Sequence, residues 1–537
     1  MSDLGERSAD GFDDDLDAGI DIVAEPLRYP RSPLVALLLI AILPAVGLLI
    51  LARWADGEAD AYEASRDAND FLETSLESGI EIDGIVIEDA PETVDGVDGP
   101  DLAPALSTGI FDYRRTPVTV ASAASAAQLR VAVDPVLSFI GDRSCAAVAV
   151  DGIEVTSLNA ELPVIPASNQ KLLVALAALD VLGPDYTFTT SVAVPPLNDG
   201  VVDGDIYLIG GGDPLLTSED YPIEDDSLPV TTPTSFDVLA DRLVDAGVTR
   251  IRGTVIGDGT RYDDEFVIDE WAEGVAFNDA GPYDALIAND ARVRFRSGRQ
   301  DDPNEGAARE FVRLLNDRGI RVDNGWGSGV ASTLVPVTAT VQSAPLSDVV
   351  VEMLMTSDNN TAEMLVKEMG VATSGTGTRA AGLDAMFRSL ESQGVPMAGV
   401  ELRDGSGLST FNRVTCDAVL TVLQLGAGGP LDAGLPVAAF SGTLADEFLD
   451  GPMVGRLRAK TGTLDNSPAE IDPPAVKALA GYVDPREGGG LGSIQFVVIA
   501  NTPDVTDEGI YQPLWKALGE RFATYPTGPP PDSLGPR

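Results

Sequence analysis

Apolar and polar positions alternate with several different periods along the 537-residue chain. Between 126 and 137 apolar residues recur every three or four positions, and this spacing predicts an amphipathic helix. Short apolar stretches on either side of Asp151-Gly152, a typical hairpin turn, predict two paired strands. A strongly apolar helix is predicted from Ser168 towards Leu182, because Gly183-Pro184 then ends it.

The stretch from about 194 to 340 has a different pattern, with short strands and one well-marked helix. Strands are predicted at 205–209 and 251–256, and a helix begins at Ser235 and ends at Gly247. The glycines at 210–212 run into a proline and loop-like residues rather than into a helix, which argues against a phosphate-binding loop. We therefore expect a second, smaller α+β domain here.

Helical periodicity returns from 346 to about 393, and two long apolar runs follow near the C-terminus. The runs at 476–483 and 493–500 lack polar alternation, so they predict adjacent antiparallel strands buried on both faces. A last helix would present an apolar face made of Ile510, Leu514, Leu518 and Phe522. The order of these elements predicts an α/β sandwich that is interrupted by the second domain.

One segment is long and apolar enough to cross a membrane. Residues 33–52 form a run of 20 residues without a charge, which as a helix would span roughly 30 Å, one hydrocarbon core. Arg28 and Arg31 precede the run, whereas acids dominate after Arg53, and this bias predicts a cytoplasmic N-terminus and an extracellular remainder. A cleaved signal peptide is the alternative, but the run begins late and no small-residue cleavage site follows it. We expect a single-pass anchor in the cell membrane.

The segments around this anchor and at the C-terminus are predicted to lack a fold. Residues 1–32 are acidic and poor in large apolar residues, which is typical of a disordered cytoplasmic tail. Residues 53–112 are expected to form an acidic extracellular stalk, and 525–537 a disordered Pro/Gly tail.

Composition excludes several classes of function. The chain has 35 basic and 85 acidic residues, a formal net charge of −50, which argues against nucleic-acid binding. It contains no histidine, so Ser-His-Asp and Cys-His mechanisms are excluded and no metal or cofactor is expected. The only two cysteines, Cys145 and Cys416, fit either one long-range disulfide or two buried thiols.

Three short motifs supply candidate chemistry. Ser168 and Lys171 are three residues apart on a predicted helix, so the amine can reach the hydroxyl and act as its base if its pKa is lowered. Ser357-Asp358-Asn359 and Lys460-Thr461-Gly462-Thr463 follow in that order. Each motif alone is weak evidence. Together they form the S-x-x-K, S-D-N and K-T-G set of penicillin-binding proteins and class A β-lactamases.

The sequence resembles the D-alanyl-D-alanine carboxypeptidase/endopeptidase family, the low-molecular-mass class C penicillin-binding proteins, from about 113 to 524. The stretches that carry the resemblance are 166–173, 182–186, 210–214, 357–363, 404–409 and 458–463. It implies a transpeptidase-like α/β domain, an antiparallel sheet flanked by helices, at 113–193 and 341–524. One inserted domain at 194–340 is expected, because the gap between Ser168 and Ser357 is short for two. The implied partners are peptidoglycan peptides and β-lactam antibiotics.

The resemblance also implies roles for the first two motifs. Ser168 would attack the D-Ala–D-Ala carbonyl and become acylated, while Lys171 takes its proton. Ser357 would relay a proton to the departing amine, and Asn359 would hydrogen-bond the substrate backbone. Asp358 is expected to cap a helix or point away from the site, since the motif's chemistry uses its first and third positions.

The third motif is expected to bind the substrate carboxylate. Lys460 would supply positive charge that attracts the carboxylate and keeps Lys171 partly neutral. The hydroxyls of Thr461 and Thr463 would hold the carboxylate on either side of Gly462. The backbone N–H groups of Ser168 and Thr463 would form the oxyanion hole, which is worth several kcal/mol in such sites.

Two alternatives share much of this evidence. A serine β-lactamase would have the same motifs, but the Glu-x-x-Leu-Asn loop of class A enzymes is missing between Ser168 and Ser357. The second alternative is a sensor that binds wall peptides or penicillin and turns over slowly. Asp404 to Ser409 fits either a turn or a loop that contacts substrate, and Asp213 is interpreted as a turn residue.

Overall fold

The computed structural model of the protein describes residues 117–221, 230–272, 274–275, 278–292, 298–465, 473–484 and 492–527. The predicted cytoplasmic tail, the predicted membrane helix and the predicted stalk all lie outside the described residues, as do 528–537 of the predicted C-terminal tail. Within the described part of the chain, no helix has both the length and the apolar character that a membrane span needs.

The described strands are β1 Cys145–Val150, β2 Ile153–Leu158, β3 Thr189–Ala193, β4 Leu197–Asn198, β5 Val201–Val202, β6 Ile206–Ile209, β7 Leu216–Thr217, β8 Thr234–Ser235, β9 Arg250–Ile251, β10 Val255–Asp258, β11 Arg321–Val322, β12 Trp326–Ser328, β13 Val337–Gln342, β14 Leu457–Leu464, β15 Val476–Val483 and β16 Ile494–Asn501.

The described α-helices are α1 Pro117–Leu137, α2 Gln170–Val181, α3 Asp237–Asp245, α4 Pro303–Asp317, α5 Leu346–Thr356, α6 Asn359–Ser374, α7 Arg379–Ser392, α8 Cys416–Gly426, α9 Pro430–Ala433 and α10 Glu508–Phe522. Short 3₁₀ helices lie at Ala167–Asn169, Asn289–Ala291 and Gly442–Leu444.

A five-stranded sheet with the order β14-β15-β16-β1-β2 forms the centre of the first region. All its pairings are antiparallel, and the predicted hairpin at Asp151-Gly152 joins β1 to β2. Every residue of β16 is buried, because helices cover both faces of the sheet. The prediction of two adjacent antiparallel strands buried on both faces is therefore confirmed for β15 and β16.

Two apolar cores lie on the two faces of this sheet. One contains α2 and side chains from α5 to α8, and the other contains α1 and α10. The face predicted for the last helix is only partly right, since Leu518 and Phe522 are buried but Ile510 is 48% exposed. Trp515 is part of the buried face instead. The helix is therefore turned about its axis relative to the face that the apolar residues predicted.

A disulfide joins Cys145 at the start of β1 to Cys416 at the start of α8. The two residues are 271 positions apart in the sequence and their Cα atoms are 5.8 Å apart. Of the two alternatives left open by the sequence, the structure has the disulfide. It fastens the first part of the chain to a helix that follows the long insertion.

A second five-stranded sheet, β12-β10-β6-β3-β13, has its own apolar core. Helices α3 and α4 supply much of that core, where the rings of Phe236 and Phe311 stack with centroids 5.3 Å apart. The predicted strand at 251–256 is instead two short strands in different sheets, β9 and β10. Gly253 lies between them, so close to the Gly204 backbone that any Cβ there would collide with it. β3 lies before residue 194, the predicted start of the inserted domain, and yet it belongs to this sheet.

Candidate active site

Ser168 lies in a tight turn, the 3₁₀ helix that leads directly into α2. The α-helix begins at Gln170, two residues later than predicted. Ala167 has a φ of 48°, a left-handed conformation that costs free energy for a residue with a side chain and that concentrates at functional sites. The turn holds the Ser168 side chain at the cleft surface, only partly covered.

Glycines from two other motifs close around this turn. A Cβ on Gly462 would lie 3.1 Å from the Pro166 carbonyl oxygen and 3.2 Å from the Ala167 Cβ, and a Cβ on Gly407 would collide with the Ala167 carbonyl. Gly407 also has a φ of 88°, which favours glycine. Close approach of the backbones explains why glycine occupies both positions.

Lys171 lies beneath Ser168 and is completely buried. Its ammonium nitrogen donates to Ser168 Oγ at 3.0 Å, to Asn359 Oδ1 at 2.6 Å and to the Ser406 carbonyl at 2.6 Å. An ammonium has three hydrogens, so these three acceptors use all of them. The structure thus brings the first and second motifs into direct contact.

Ser357 and Lys460 form a second hydroxyl–amine pair. Ser357 ends α5 with a left-handed φ of 62°, and Asp358 caps α6 by accepting from the Thr361 N–H. Lys460 is completely buried and donates to Ser357 Oγ at 2.8 Å and to the Thr461 carbonyl at 2.9 Å. Asp358 therefore has the capping role that was expected of it.

The two lysines have unusual proton affinities. Burial lowers the pKa of Lys171 to about 8, although the carboxylates of Asp404, Asp358 and Glu363 act in the opposite direction. Burial, together with the neighbouring Lys171 ammonium, lowers the pKa of Lys460 well below its usual range. Burial is thus the main cause of the lowered pKa of Lys171, and the further lowering expected from a charged Lys460 stays a prediction.

Two buried acids lie behind Lys171: Glu363, which was not predicted as part of the site, and Asp404, whose loop was left open as a turn or a contact with substrate. Glu363 accepts from the N–H groups of Gly405 and Ser406 at 3.0 and 2.7 Å. Asp404 accepts from Ser409 N–H at 2.6 Å and from the Trp271 indole at 2.9 Å. The pair fixes the loop whose Ser406 carbonyl holds Lys171.

Asp404 cannot contact substrate as one interpretation of its loop suggested, because it is completely buried. Burial and the charge of Asp404 raise the pKa of Glu363 to about 7. Both acids lie within stretches that carry the family resemblance, 357–363 and 404–409, but their own surroundings in the sequence do not mark them. Asp213, interpreted as a turn residue, accepts from the Leu215 N–H at 3.0 Å within such a turn.

Strand β14 forms one wall of a cleft of about 890 Å³ above these pairs. The predicted site residues that line the cleft are Ser168, Ser357, Asn359, Thr461, Gly462 and Thr463. Lys171 and Lys460 lie below its floor and reach it through the two serine hydroxyls. Thr463 is exposed, whereas the Thr461 hydroxyl is within 2.7 Å of the Thr443 hydroxyl.

The inserted region contributes the opposite wall. Asn359 Nδ2 donates to the Asp279 carbonyl at 2.7 Å, and Asn360 Nδ2 donates to Asp290 Oδ1 at 2.6 Å. Arg299 pairs with Asp290 at 2.6 Å. Among the residues that the structure describes, no group of acids or cysteines is arranged to hold a metal ion.

Comparison with known proteins agrees with this geometry. The model of the D-Ala-D-Ala carboxypeptidase 3 (S13) family matches residues 139–300 and 284–514. A D-alanyl-D-alanine carboxypeptidase of Actinomadura sp. (strain R39) is 31% identical over 458 residues, which cover 68% of this chain and 80% of that protein. A carboxypeptidase of Mycobacterium tuberculosis is 30% identical over 72% of this chain and 83% of its own length.

The fold agrees as well. The crystal structure of penicillin binding protein 4 from Haemophilus influenzae superposes with a TM-score of 0.59 at 19% identity, covering 72% of this chain and 97% of that one. The chain thus has the α/β fold of the penicillin-binding proteins, with an antiparallel sheet between helices. The chain belongs to the D-Ala-D-Ala carboxypeptidase 3 (S13) family and is a serine-type D-Ala-D-Ala carboxypeptidase.

Proposed function

We propose that Ser168 is the nucleophile with which this enzyme cleaves the D-Ala–D-Ala bond of peptidoglycan stem peptides, through an acyl-enzyme that β-lactam antibiotics also form. The observation that carries the proposal is the 3.0 Å contact between Lys171 Nζ and Ser168 Oγ. In a chain without histidine, a lysine with a pKa of about 8 is the base within reach of that hydroxyl.

The proton on Lys171 must leave before Lys171 can act. Three acceptors and nearby carboxylates favour the ammonium form of Lys171, whereas Lys460 has two acceptors and, among the described residues, no carboxylate that supports its charge. A substrate carboxylate bound at Thr461 and Thr463 would raise the pKa of Lys460. Positive charge then moves from Lys171 to Lys460, and substrate binding itself prepares the base.

Acylation then follows with a balanced set of bonds. Ser168 Oγ gives its proton to the neutral Lys171 amine as it bonds to the substrate carbonyl carbon. The N–H groups of Ser168 and Thr463 stabilise the oxyanion. As the C–N bond breaks, Ser357 passes its hydroxyl proton to the departing amine and takes a proton in return from the Lys460 ammonium, which donates to it. Water then hydrolyses the ester and regenerates Ser168.

Asn359 has a positioning role in addition to any contact with substrate. Its carbonyl oxygen accepts from Lys171 and its amide nitrogen donates to the inserted region. The second hydrogen on that nitrogen can donate to a substrate backbone carbonyl.

Steady release of D-alanine from a stem pentapeptide tests the proposal. The wild-type protein should release D-alanine over many turnovers, and Ser168→Ala should release none. Ser157→Ala, which changes an exposed serine on β2, is the matched control and should keep the wild-type rate. A single stoichiometric burst without turnover would indicate a sensor, and turnover by Ser168→Ala would refute the assignment.

We also propose that residues 33–52 anchor the protein in the cell membrane with the catalytic region outside. The arginine bias around that apolar run supports this topology. The Cys145–Cys416 disulfide supports it too, because disulfides persist in oxidising, extracytoplasmic compartments. Protease added to intact cells should remove the catalytic region and leave the N-terminal residues protected. A protected catalytic region would contradict the topology.

Residues 194–340 are proposed to be an inserted domain of their own. The separate apolar core around α3 and α4 supports this division. Because β3 joins the same sheet, the domain would extend a few residues beyond 194 on its N-terminal side.

A further inference from the structure

The inserted region meets the catalytic machinery at a second place, behind the cleft wall. Trp271 lies in the segment that follows β10 and is buried, and its indole N–H donates to Asp404 Oδ2 at 2.9 Å. Its neighbours along the chain, Ala272 and Val275, line the cleft. The segment that forms part of the cleft wall therefore also contacts the buried acid behind Lys171.

Four hydrogen bonds fill the acceptor positions of the Asp404 carboxylate. Oδ1 accepts from the Gly407 N–H at 2.8 Å and from Asn412 Nδ2 at 2.7 Å, and Oδ2 accepts from the Ser409 N–H at 2.6 Å and from Trp271. Hydrogen bonds of this kind favour the ionised form of a buried carboxyl group. Three of the four donors belong to the same loop as Asp404, and Trp271 is the one that comes from the inserted region.

The loop that Asp404 organises also holds the proposed base. The Ser406 carbonyl accepts from Lys171 Nζ at 2.6 Å, and the Asp404 carbonyl accepts from Gln170 Nε2 at 3.2 Å. Burial lowers the pKa of Lys171 to about 8, and the Asp404 carboxylate is the largest of the charges that act in the opposite direction. A change in how Asp404 is held therefore alters both the position and the proton affinity of Lys171.

The indole of Trp271 is itself fixed by its surroundings. Its ring lies beside the buried Tyr283 with centroids 6.4 Å apart, and a Cβ on Gly281 would lie 3.6 Å from its Cζ3 atom. The preceding residue, Glu270, accepts from the Ser409 hydroxyl at 3.3 Å, which is a second contact between the same two segments. The donor that Asp404 receives from the inserted region is thus held in one orientation.

We propose that Trp271 is a positioning residue for acylation: by donating to Asp404, it lets the inserted region hold the loop and the negative charge on which the base Lys171 depends. This inference rests on the proposed function, in which Lys171 is the base. The inserted region then takes part in proton transfer in addition to forming a wall of the cleft.

The test is the pH dependence of acylation by benzylpenicillin in Trp271→Phe, which keeps a buried ring but removes the N–H. The N–H dipole then no longer offsets the Asp404 charge, so the Lys171 ammonium is stabilised more strongly and the pKa of Lys171 rises. The rise of the acylation rate should move to higher pH by roughly half a pH unit, which slows acylation about threefold below the rise. Well above the rise, the rate should approach that of the wild type.

This variant changes none of the other charged or titratable groups around Asp404 and Lys171. Those groups are Glu363, Asp358, Lys460, Tyr283, Arg379 and Glu270. A general loss of packing would lower the rate by the same factor at every pH, whereas the proposed role moves the profile along the pH axis.

Further variants locate the effect in the hydrogen bond to Asp404. Asp404→Asn removes the charge, so adding Trp271→Phe to it should move the profile no further. Trp326→Phe makes the same exchange at a 40% exposed indole of the inserted region and should leave the profile unchanged. Benzothienylalanine at position 271 keeps the size of the indole but lacks the N–H, so it should reproduce the shift even where Trp271→Phe does not fold.

Four results would each overturn the positioning role. They are an unchanged profile in a folded variant without the N–H, an equal loss of rate at every pH, a move to lower pH, and the same shift in the Asp404→Asn background. Failure of the proposed function gives a different result, because Lys171→Arg would then be acylated at a near-normal rate.

Discussion

The surroundings of the two buried lysines differ although both belong to short motifs and both contact a serine hydroxyl. Lys171 has three hydrogen-bond acceptors, and three carboxylates support its positive charge. Lys460 has two acceptors, and burial and Lys171 both act against its charge. Among the described residues, no carboxylate offsets these effects on Lys460.

The difference gives the direction of the proton preference within the pair. Lys171, the proposed base, retains the proton more readily, and Lys460, the proposed cation, retains it less readily. Each preference is the opposite of what the proposed role of that lysine requires. A substrate carboxylate near Lys460 would reverse the preference, which makes activation of the base depend on the correct substrate. Two of the three acids that support the charge of Lys171, Glu363 and Asp404, do not line the cleft.

The largest effect is expected from removing the base. Lys171→Arg keeps a positive charge but cannot release its proton at accessible pH, so acylation by benzylpenicillin should slow at least about 10²-fold. Stopped-flow acylation kinetics would measure it, with Lys516→Arg as a control that changes an exposed lysine in the same way. Near-normal acylation by Lys171→Arg would show that another group is the base.

A smaller effect is expected from Lys460. Lys460→Ala should lower kcat/KM for D-alanine release roughly tenfold to 100-fold, because a charged partner of the carboxylate is lost. With the wild-type enzyme, replacing the C-terminal carboxylate of the pentapeptide by an amide should lower kcat/KM by a similar factor. With Lys460→Ala, the same replacement should lower kcat/KM little further. If the two losses simply multiplied, Lys460 would act independently of the carboxylate and the proposed coupling would be wrong.

Lys460→Ala should also change the pH dependence of acylation. The neutral Lys171 amine is the base, so the wild-type rate should rise with pH through about 8. Removing a neighbouring cation raises the pKa of Lys171, and the rise should therefore move to higher pH. The shift should be smaller than the total lowering of the Lys171 pKa, because burial is its main cause.

The smallest effect is expected from Glu363. Its carboxylate raises the pKa of Lys171, so Glu363→Gln should move the alkaline rise of acylation to lower pH with a modest change in the maximal rate. The glutamine oxygen can still accept from the 405–406 backbone. Glu310→Gln, a buried acid paired with Arg313 in the second sheet's core, should leave the profile unchanged. A shift to higher pH would contradict the assigned electrostatics.

The sequence predicted those features that depend on local spacing. Three residues separate Ser168 from Lys171, and their contact follows from helical geometry even though the turn is 3₁₀. The hairpin at Asp151-Gly152 and the antiparallel pair β15–β16 likewise follow from turn chemistry and unbroken apolar runs. The meeting of the three motifs was expected from family resemblance, since no local rule brings Ser357 and Lys460 together.

The features that the sequence did not predict depend on tertiary packing. Glu363 and Asp404 have unremarkable sequence neighbours, and their effect on Lys171 arises only when α6 and the loop at 404–409 bury both acids beside it. The pKa of Lys171 was expected to fall because of burial and a neighbouring cation, but how deeply Lys171 is buried is a property of the whole core. Ile510 is a further example: the sequence placed it on the buried face of α10, but packing of the whole helix leaves it exposed.

The most direct test of the account is to map the serine that benzylpenicillin acylates. The protein would be treated with the antibiotic, digested, and its modified peptide sequenced by mass spectrometry. The account predicts one adduct, on the peptide that contains Ser168, and no adduct on the Ser168→Ala protein. An adduct on Ser357 or on any other serine, or a wild-type protein that forms none, would contradict it.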